Sequence, residues 1–255
     1  MGFEMRNMAD RLTGLEYAQL DSRTVSGKKT SAWISKKKED PLWDDFLLRT
    51  KGGGFEQSSL WAQVKEMDNW RPIRVVVDQD DLLVGGFQML VRPTPFSGLF
   101  GYISKGPVVA SEDHDVIRFV IDQLRATCRE YRIFLLIAEP PDRAADCALH
   151  HEDDGVLPNN IVNLTGGTVV IDLKKDWSRI YGDMRKSTRK HLRQAGRRGI
   201  TVREGSMDDL SSFFSLMLST CERQGVHPNP DREEFFIRMW HLQDTATSQA
   251  PDGRV

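Results

Sequence analysis

An amphipathic helix that runs straight into a wholly apolar strand constrains this chain more than any other feature. Val116–Tyr131 puts Val116, Phe119, Val120, Gln123, Leu124 and Thr127 on one helical face. The run Ile133-Phe134-Leu135-Leu136-Ile137 follows almost at once and stops at Pro140-Pro141. A strand with no polar alternation is buried on both faces, so the pair implies a sheet covered by helix on that side.

The neighbouring segments supply the rest of such a sheet. Ile73–Val77 and Leu82–Val91 flank the polar turn Asp78–Asp81 and read as a β-hairpin, and Phe100–Ile103 reads as a third strand. Gly85-Gly86 inside a strand indicates a bulge or close packing. Pro41 opens a helix carrying Leu42, Trp43, Phe46 and Leu47, Gly52-Gly53-Gly54 breaks it, and Phe55–Met67 carries a second helical stripe. Residues 1–40 have scattered apolar positions and the run Lys36-Lys37-Lys38, and are expected to form a flexible arm.

After a possible short helix at Ala144–His150 the order partly repeats. Thr168–Leu173 is expected as a strand, Asp176–Arg198 as a helix capped by Gly199, and Ile200–Arg203 as another strand. Helices are expected over Met207–Gln224 and Asp231–Leu242. Two short strands are too few to cover three amphipathic helices. The second part is therefore expected to lack strands it needs, or to take them from a partner.

Thirty-five basic against 37 acidic residues leave a net charge of −2 over 255 residues, an ordinary globular balance that suits one large domain or two modest ones. No apolar run approaches the roughly 20 residues that a membrane-spanning helix needs. The N-terminus lacks the apolar core of a signal peptide, and the chain is expected to be cytoplasmic. Cys128, Cys147 and Cys221 are too sparse for a disulfide framework or a structural zinc site.

The near-neutral total conceals one strongly cationic stretch. Tyr181–Arg203 carries Arg185, Lys186, Arg189, Lys190, Arg193, Arg197, Arg198 and Arg203, with no acid after Asp183. Tyr181, Met184, Thr188, Leu192 and Ala195 form its apolar stripe, so cations cover the remainder. Such a surface is either a solvated helix face or an anion site, because arginine forks match phosphate bidentately. Gly101–Val108 places glycine beside Lys105 at a strand end, where backbone approaches a ligand closely, but the spacing is not that of a phosphate-cradling Walker loop. His150-His151-Glu152 is consecutive, not spaced to put two histidines on one helical face, and reads as a polar loop rather than a metal site.

Taken in order, several segments resemble one family. They are Gln57-Ser58-Ser59-Leu60-Trp61-Ala62-Gln63-Val64-Lys65 before Trp70, Val84-Gly85-Gly86, Tyr102-Ile103-Ser104-Lys105-Gly106-Pro107-Val108, Phe134–Pro141, Thr168–Leu173, and the basic helix closing on Arg197-Arg198-Gly199-Ile200. From about Pro41 to Leu242 the chain resembles the Fem family of peptidoglycan-bridge aminoacyltransferases.

The resemblance implies an α+β, GNAT-like (N-acyltransferase) mixed sheet flanked by helices, with a complete first domain over residues 41–165 and a partial second copy over 166–255. It implies transfer of an amino acid from aminoacyl-tRNA to the peptide-stem amine of a diphosphate-bearing peptidoglycan precursor. Lys65, Tyr102, Lys105, Arg189, Arg193 and Arg197 are the substrate-binding residues it carries over. It implies no metal, no resident cofactor and no DNA, with peripheral contact at the inner membrane face. No catalytic base is assigned, because an activated ester chiefly needs its amine held in place, and orientation supplies roughly 7–11 kcal/mol. Family members continue beyond the region matching Phe235–Leu242, so a fragment of reduced activity is expected. Two other readings stay open: an acyl-CoA-dependent N-acyltransferase on the same fold, and a module whose basic helix binds RNA.

Overall fold

The computed structural model describes residues 16–94, 98–141 and 171–249, the last seven of these as backbone only. Packing divides the chain into two compact units, Met1–Asn159 with His241–Val255, and Asn160–Trp240.

The first unit is built on a seven-stranded sheet. Its strands are β1 (Tyr17–Val25), β2 (Lys28–Ser35), β3 (Arg71–Gln79), β4 (Leu82–Pro93), β5 (Leu99–Ile103), β6 (Val108–Val109) and β7 (Ile133–Ala138). The order is β1-β2-β3-β4-β5-β7, with β6 added to β4. All pairs are antiparallel except β5 with β7. A parallel pair needs a crossover, and α3 (His114–Glu130) supplies it. Two further helices, α1 (Pro41–Arg49) and α2 (Ser59–Lys65), lie between β2 and β3 in sequence.

Alternation along the central strands divides the core in two. Val75, Val77, Phe87, Met89 and Ile103 pack with Val116, Phe119, Val120 and Leu124 of α3. Val76 points the other way and packs with Trp33, Tyr17 and Val108, and with Trp43, Phe46 and Leu47 of α1. The mixed sheet flanked by helices expected from the sequence is therefore observed.

The flexible arm is a correction. Tyr17, Val25, Thr30, Ala32 and Trp33 are buried, and β1 and β2 form a hairpin that extends the sheet beyond β3. The local signal is Ser26-Gly27, whose φ values of +49° and +77° make the two-residue turn that suits a twisted hairpin. Scattered apolar positions give no clear pattern because the hairpin's core contribution rests on Tyr17, Trp33 and a few smaller residues. The first unit thus begins at least as early as Tyr17, not at Pro41. Residues 1–15 lie outside the described set.

Gly85-Gly86 serves both purposes expected of it. Val77 pairs with Gly85 but Asp78 pairs with Leu83, so Val84 is the bulged residue. A Cβ on Gly86 would stand 2.3 Å from the Val75 carbonyl oxygen and 2.9 Å from the Trp43 ring. Gly86→Ala is expected to destabilise the protein by about 1–3 kcal/mol, the usual range for overpacking. A shift of the urea midpoint with an unchanged slope checks this.

The second unit is helical in its described part: α4 (Trp177–Asp183), α5 (Lys186–Arg197), α6 (Leu210–Gln224) and, as far as Trp240, α7 (Glu233–Gln249). The single helix expected over Asp176–Arg198 is broken. Asp176 caps α4, and Met184 and Arg185 adopt extended ψ values of 147° and 148° before α5 starts. Gly182 is a poor helix former, and the Arg189 guanidinium takes its carbonyl at 2.7 Å, ending α4 there. Gly199 closes the region with φ +70°, as expected.

The two expected strands are not found among the described residues. Ile200–Arg203 runs without regular pairing, with Val202 94% exposed, as do Ile171–Leu173; Thr168–Val170 and the helix at Ala144–His150 lie outside the described residues. A lone strand has nothing to donate to, and no described strand lies in this unit. Phe236 packs against Phe213 and Phe214 to join α7 to α6, yet Phe213 stays 51% and Leu216 70% exposed. Among the described residues no strand covers these helices.

Candidate functional site

In the first unit Lys65 ends α2, Tyr102 lies on β5 and Lys105 sits in the turn that follows β5, and Trp70 links the first two. Ser58 caps α2 by accepting the Trp61 N–H at 3.1 Å, and one turn later Lys65 ends the helix with its ammonium 5.2 Å above the Trp61 ring. Asp68 also faces that ammonium, at 3.5 Å. The Trp70 N–H donates to the Lys65 carbonyl at 3.3 Å. Its ring lies 6.4 Å from that of Tyr102 and 5.9 Å from that of Phe100. Phe100 and Tyr102 are two residues apart on β5 and so share a face.

Tyr102 is half-buried. Burial pushes its phenol above the usual value; a hydrogen bond with Ser104 opposes this, and the hydrogen bond and charge of Glu139 add to it. At neutral pH the group is a neutral donor. Lys105 follows in a turn with φ +51°, a conformation rare for a residue with a long side chain. The Gly106 N–H donates to the Glu139 carbonyl at 2.9 Å and the Glu139 N–H to the Ile103 carbonyl at 2.8 Å, so the turn is sewn to the end of β7.

Arg92 is a residue the sequence reading did not single out. It lies opposite Phe100 across the β4–β5 pair, and its guanidinium stands 4.6 Å over the Trp70 ring and 5.7 Å from Phe100. Strand register alone would have put Arg92 beside Phe100, but the stacking on Trp70 needs the turn after α2, which no short-range pattern reveals. Arg92, Asp68, Asn69, Thr94, Phe100 and Phe134 border an open cavity of about 470 Å³.

Arg189, Arg193 and Arg197 belong to the second unit, one turn apart along α5. Arg189 is partly engaged through Gly182, while Arg193 and Arg197 are exposed. Leu192, placed on the packing stripe by its spacing, is 42% exposed. His150 and His151 lie outside the described residues, and among the described ones no group of three or more metal-binding side chains converges. No described helix is long and apolar enough to cross a membrane.

A sequence model of the FemAB family matches residues 39–160 and 167–241, most of the chain. The chain belongs to the FemAB family. Among curated relatives of this FemAB protein is the UDP-N-acetylmuramoylpentapeptide-lysine N(6)-alanyltransferase of Weissella viridescens. It is 26% identical over 219 residues, covering 80% of this chain and 64% of that enzyme. The lipid II:glycine glycyltransferase of Staphylococcus saprophyticus is 24% identical over 227 residues, covering 78% of this chain and 54% of the enzyme. A crystal structure of FemX superposes with a TM-score of 0.63 at 21% identity, over 78% of this chain and 52% of FemX, so the fold is shared. The chain thus spans about half to two thirds of the length of the relatives it matches.

Proposed function

We propose that this FemAB protein transfers an amino acid from aminoacyl-tRNA to the side-chain amine of the peptide stem on a peptidoglycan precursor. What supports this is that Trp70 links the end of the Lys65 helix to Tyr102 of β5, in a chain one of whose relatives is named as a UDP-N-acetylmuramoylpentapeptide-lysine N(6)-alanyltransferase. Two lysines and a neutral phenol suit a diphosphate flanked by sugar and peptide: the ammonium groups meet its charge and the phenol donates a hydrogen bond. Arg193 and Arg197 of the second unit are exposed forks that also prefer phosphate.

The reaction needs little from the protein beyond placement. The neutral acceptor amine attacks the ester carbonyl, the carbon–nitrogen bond forms, the carbon–oxygen bond to the tRNA ribose breaks, and the amine's proton goes to the departing ribose oxygen. Holding the amine against the carbonyl supplies most of the acceleration. No resident cofactor enters, and aminoacyl-tRNA is the co-substrate, which places the reaction in the cytoplasm.

The test is calorimetric titration with UDP-N-acetylmuramoyl-pentapeptide, followed by a transfer assay with charged tRNA. Lys105→Ala is expected to weaken precursor binding about tenfold, the loss of roughly one charge-assisted contact. Acyl transfer from acetyl-CoA, with none from aminoacyl-tRNA, would overturn the reading.

A further inference from the structure

Gln57 is fully buried, far from solvent and from any charge transfer, yet every polar atom of its side chain is committed. Its Nε2 donates to the Ser104 carbonyl at 2.7 Å and to the Gln88 carbonyl at 3.1 Å, and its Oε1 accepts the Gln88 N–H at 2.7 Å. Two carbonyls at one end and an N–H at the other fix which end is the nitrogen. Gln88 answers from β4: its Nε2 donates to the Ser58 carbonyl at 2.7 Å, while its Oε1 takes the Arg74 guanidinium at 2.7 Å and 3.1 Å.

These bonds end at two functional places. Ser58 is the cap of α2, the helix that carries Lys65. Ser104 immediately precedes Lys105, whose positive φ is a strained backbone that the surroundings must hold. The turn is also pressed onto the same amide: a Cβ on Gly106 would stand 2.8 Å from both Cδ and Oε1 of Gln57. Resting on the precursor-binding reading above, we infer that Gln57 is a positioning residue. Its amide holds the Lys105 turn against the Gln88–Ser58 start of the Lys65 helix, which Arg74 fixes independently, so that Lys105 is presented in a set position to an anionic, diphosphate-class ligand.

Gln57→Met keeps the length and bulk of the side chain and removes its donors and acceptor. Calorimetry with UDP-N-acetylmuramoyl-pentapeptide compares wild type, Gln57→Met, Lys105→Ala and the double variant. Each single change is expected to weaken binding about tenfold, and the double variant to be no weaker than Lys105→Ala alone, because a misplaced lysine has already lost its contact. Fully additive losses overturn the inference, since a general loosening of the fold would not depend on Lys105. If Gln57→Met does not fold, Gly106→Ala lifts the turn from Gln57 without altering it, and the same non-additivity is expected. A ligand-free arm separates this inference from the function. Hydrogen exchange of the Gly106 amide is expected to speed up at least tenfold in either variant, while Val75 and Val77 in β3 keep their protection. Unchanged exchange at Gly106 overturns the inference whatever the ligand. Lys105→Ala without effect on binding overturns the precursor reading, and the positioning role then stands or falls on exchange alone.

Discussion

Asp40→Ala is expected to cost about 3–5 kcal/mol of folding stability, the range for breaking a buried ion pair by removing one partner. Asp40 is fully buried and its carboxylate is the meeting point of four donors. The Tyr17 hydroxyl and the Ser35 hydroxyl each donate at 2.6 Å, the Trp43 N–H at 3.3 Å and the Arg74 guanidinium at 3.5 Å. Arg74 sits inside β3 with 2% of its side chain exposed. Burial pulls its pKa down, and the charges of Asp40 and Asp44 pull it back up. Without Asp40 the guanidinium keeps only the Gln88 oxygen and the Lys37 carbonyl, and α1 loses its cap. Asp40→Asn retains an acceptor and is expected to lose less. Urea unfolding followed by tryptophan fluorescence measures both. A loss below about 1 kcal/mol for Asp40→Ala, a value typical of an ordinary exposed pair, would show that the network does not hold the unit together.

Replacing Arg193 and Arg197 together by alanine is expected to weaken binding of UDP-N-acetylmuramoyl-pentapeptide by about 100-fold. Each charge-assisted contact is worth roughly 1.5–3 kcal/mol when desolvated by a ligand, and exposure discounts both toward the low end. These two are the cleaner choice because Arg189 also holds the Gly182 carbonyl, so its removal would disturb the joint between α4 and α5. Lysine at both positions keeps the charge but not the fork, and is expected to recover part of the affinity. The gap between wild type and the double alanine variant should shrink as salt rises. Unchanged precursor binding with a selective loss of tRNA binding would move the helix to the donor's side of the reaction.

What could be read from the sequence followed the range of the signals. Apolar runs bounded by turns located β3, β4, β5 and β7, and the period-3.6 pattern located α3, since each is a local property of consecutive side chains. The β1–β2 hairpin escaped because β2 is buried on both faces by Thr30, Ser31, Ala32 and Trp33 rather than by a run of large aliphatics. The role of Arg74 was not legible, because its partner Asp40 lies 34 residues away. The same holds at the site. Lys65, Tyr102 and Lys105 were named through resemblance, whereas Arg92 and Gln57 gain their meaning from contacts between strands and turns far apart in sequence. In the second unit the helices were located, but the break at Gly182 was not, because the cationic pattern runs through it unaltered.

The hairpin at the start of the sheet has a practical bearing on how this protein is handled. Cutting the chain at Pro41, where regular patterning first becomes obvious, would strip two strands from β3 and leave its row of N–H and C=O groups bare beside Val75, Val76 and Val77. A naked, valine-rich border of that kind recruits strands from other molecules. β1 and β2 cover that border instead, and β1 is tied to α3 by Asp21 with Gln123 and by Arg23 with Asp122. The segment that looks most dispensable is the one that covers the valine-rich border of β3.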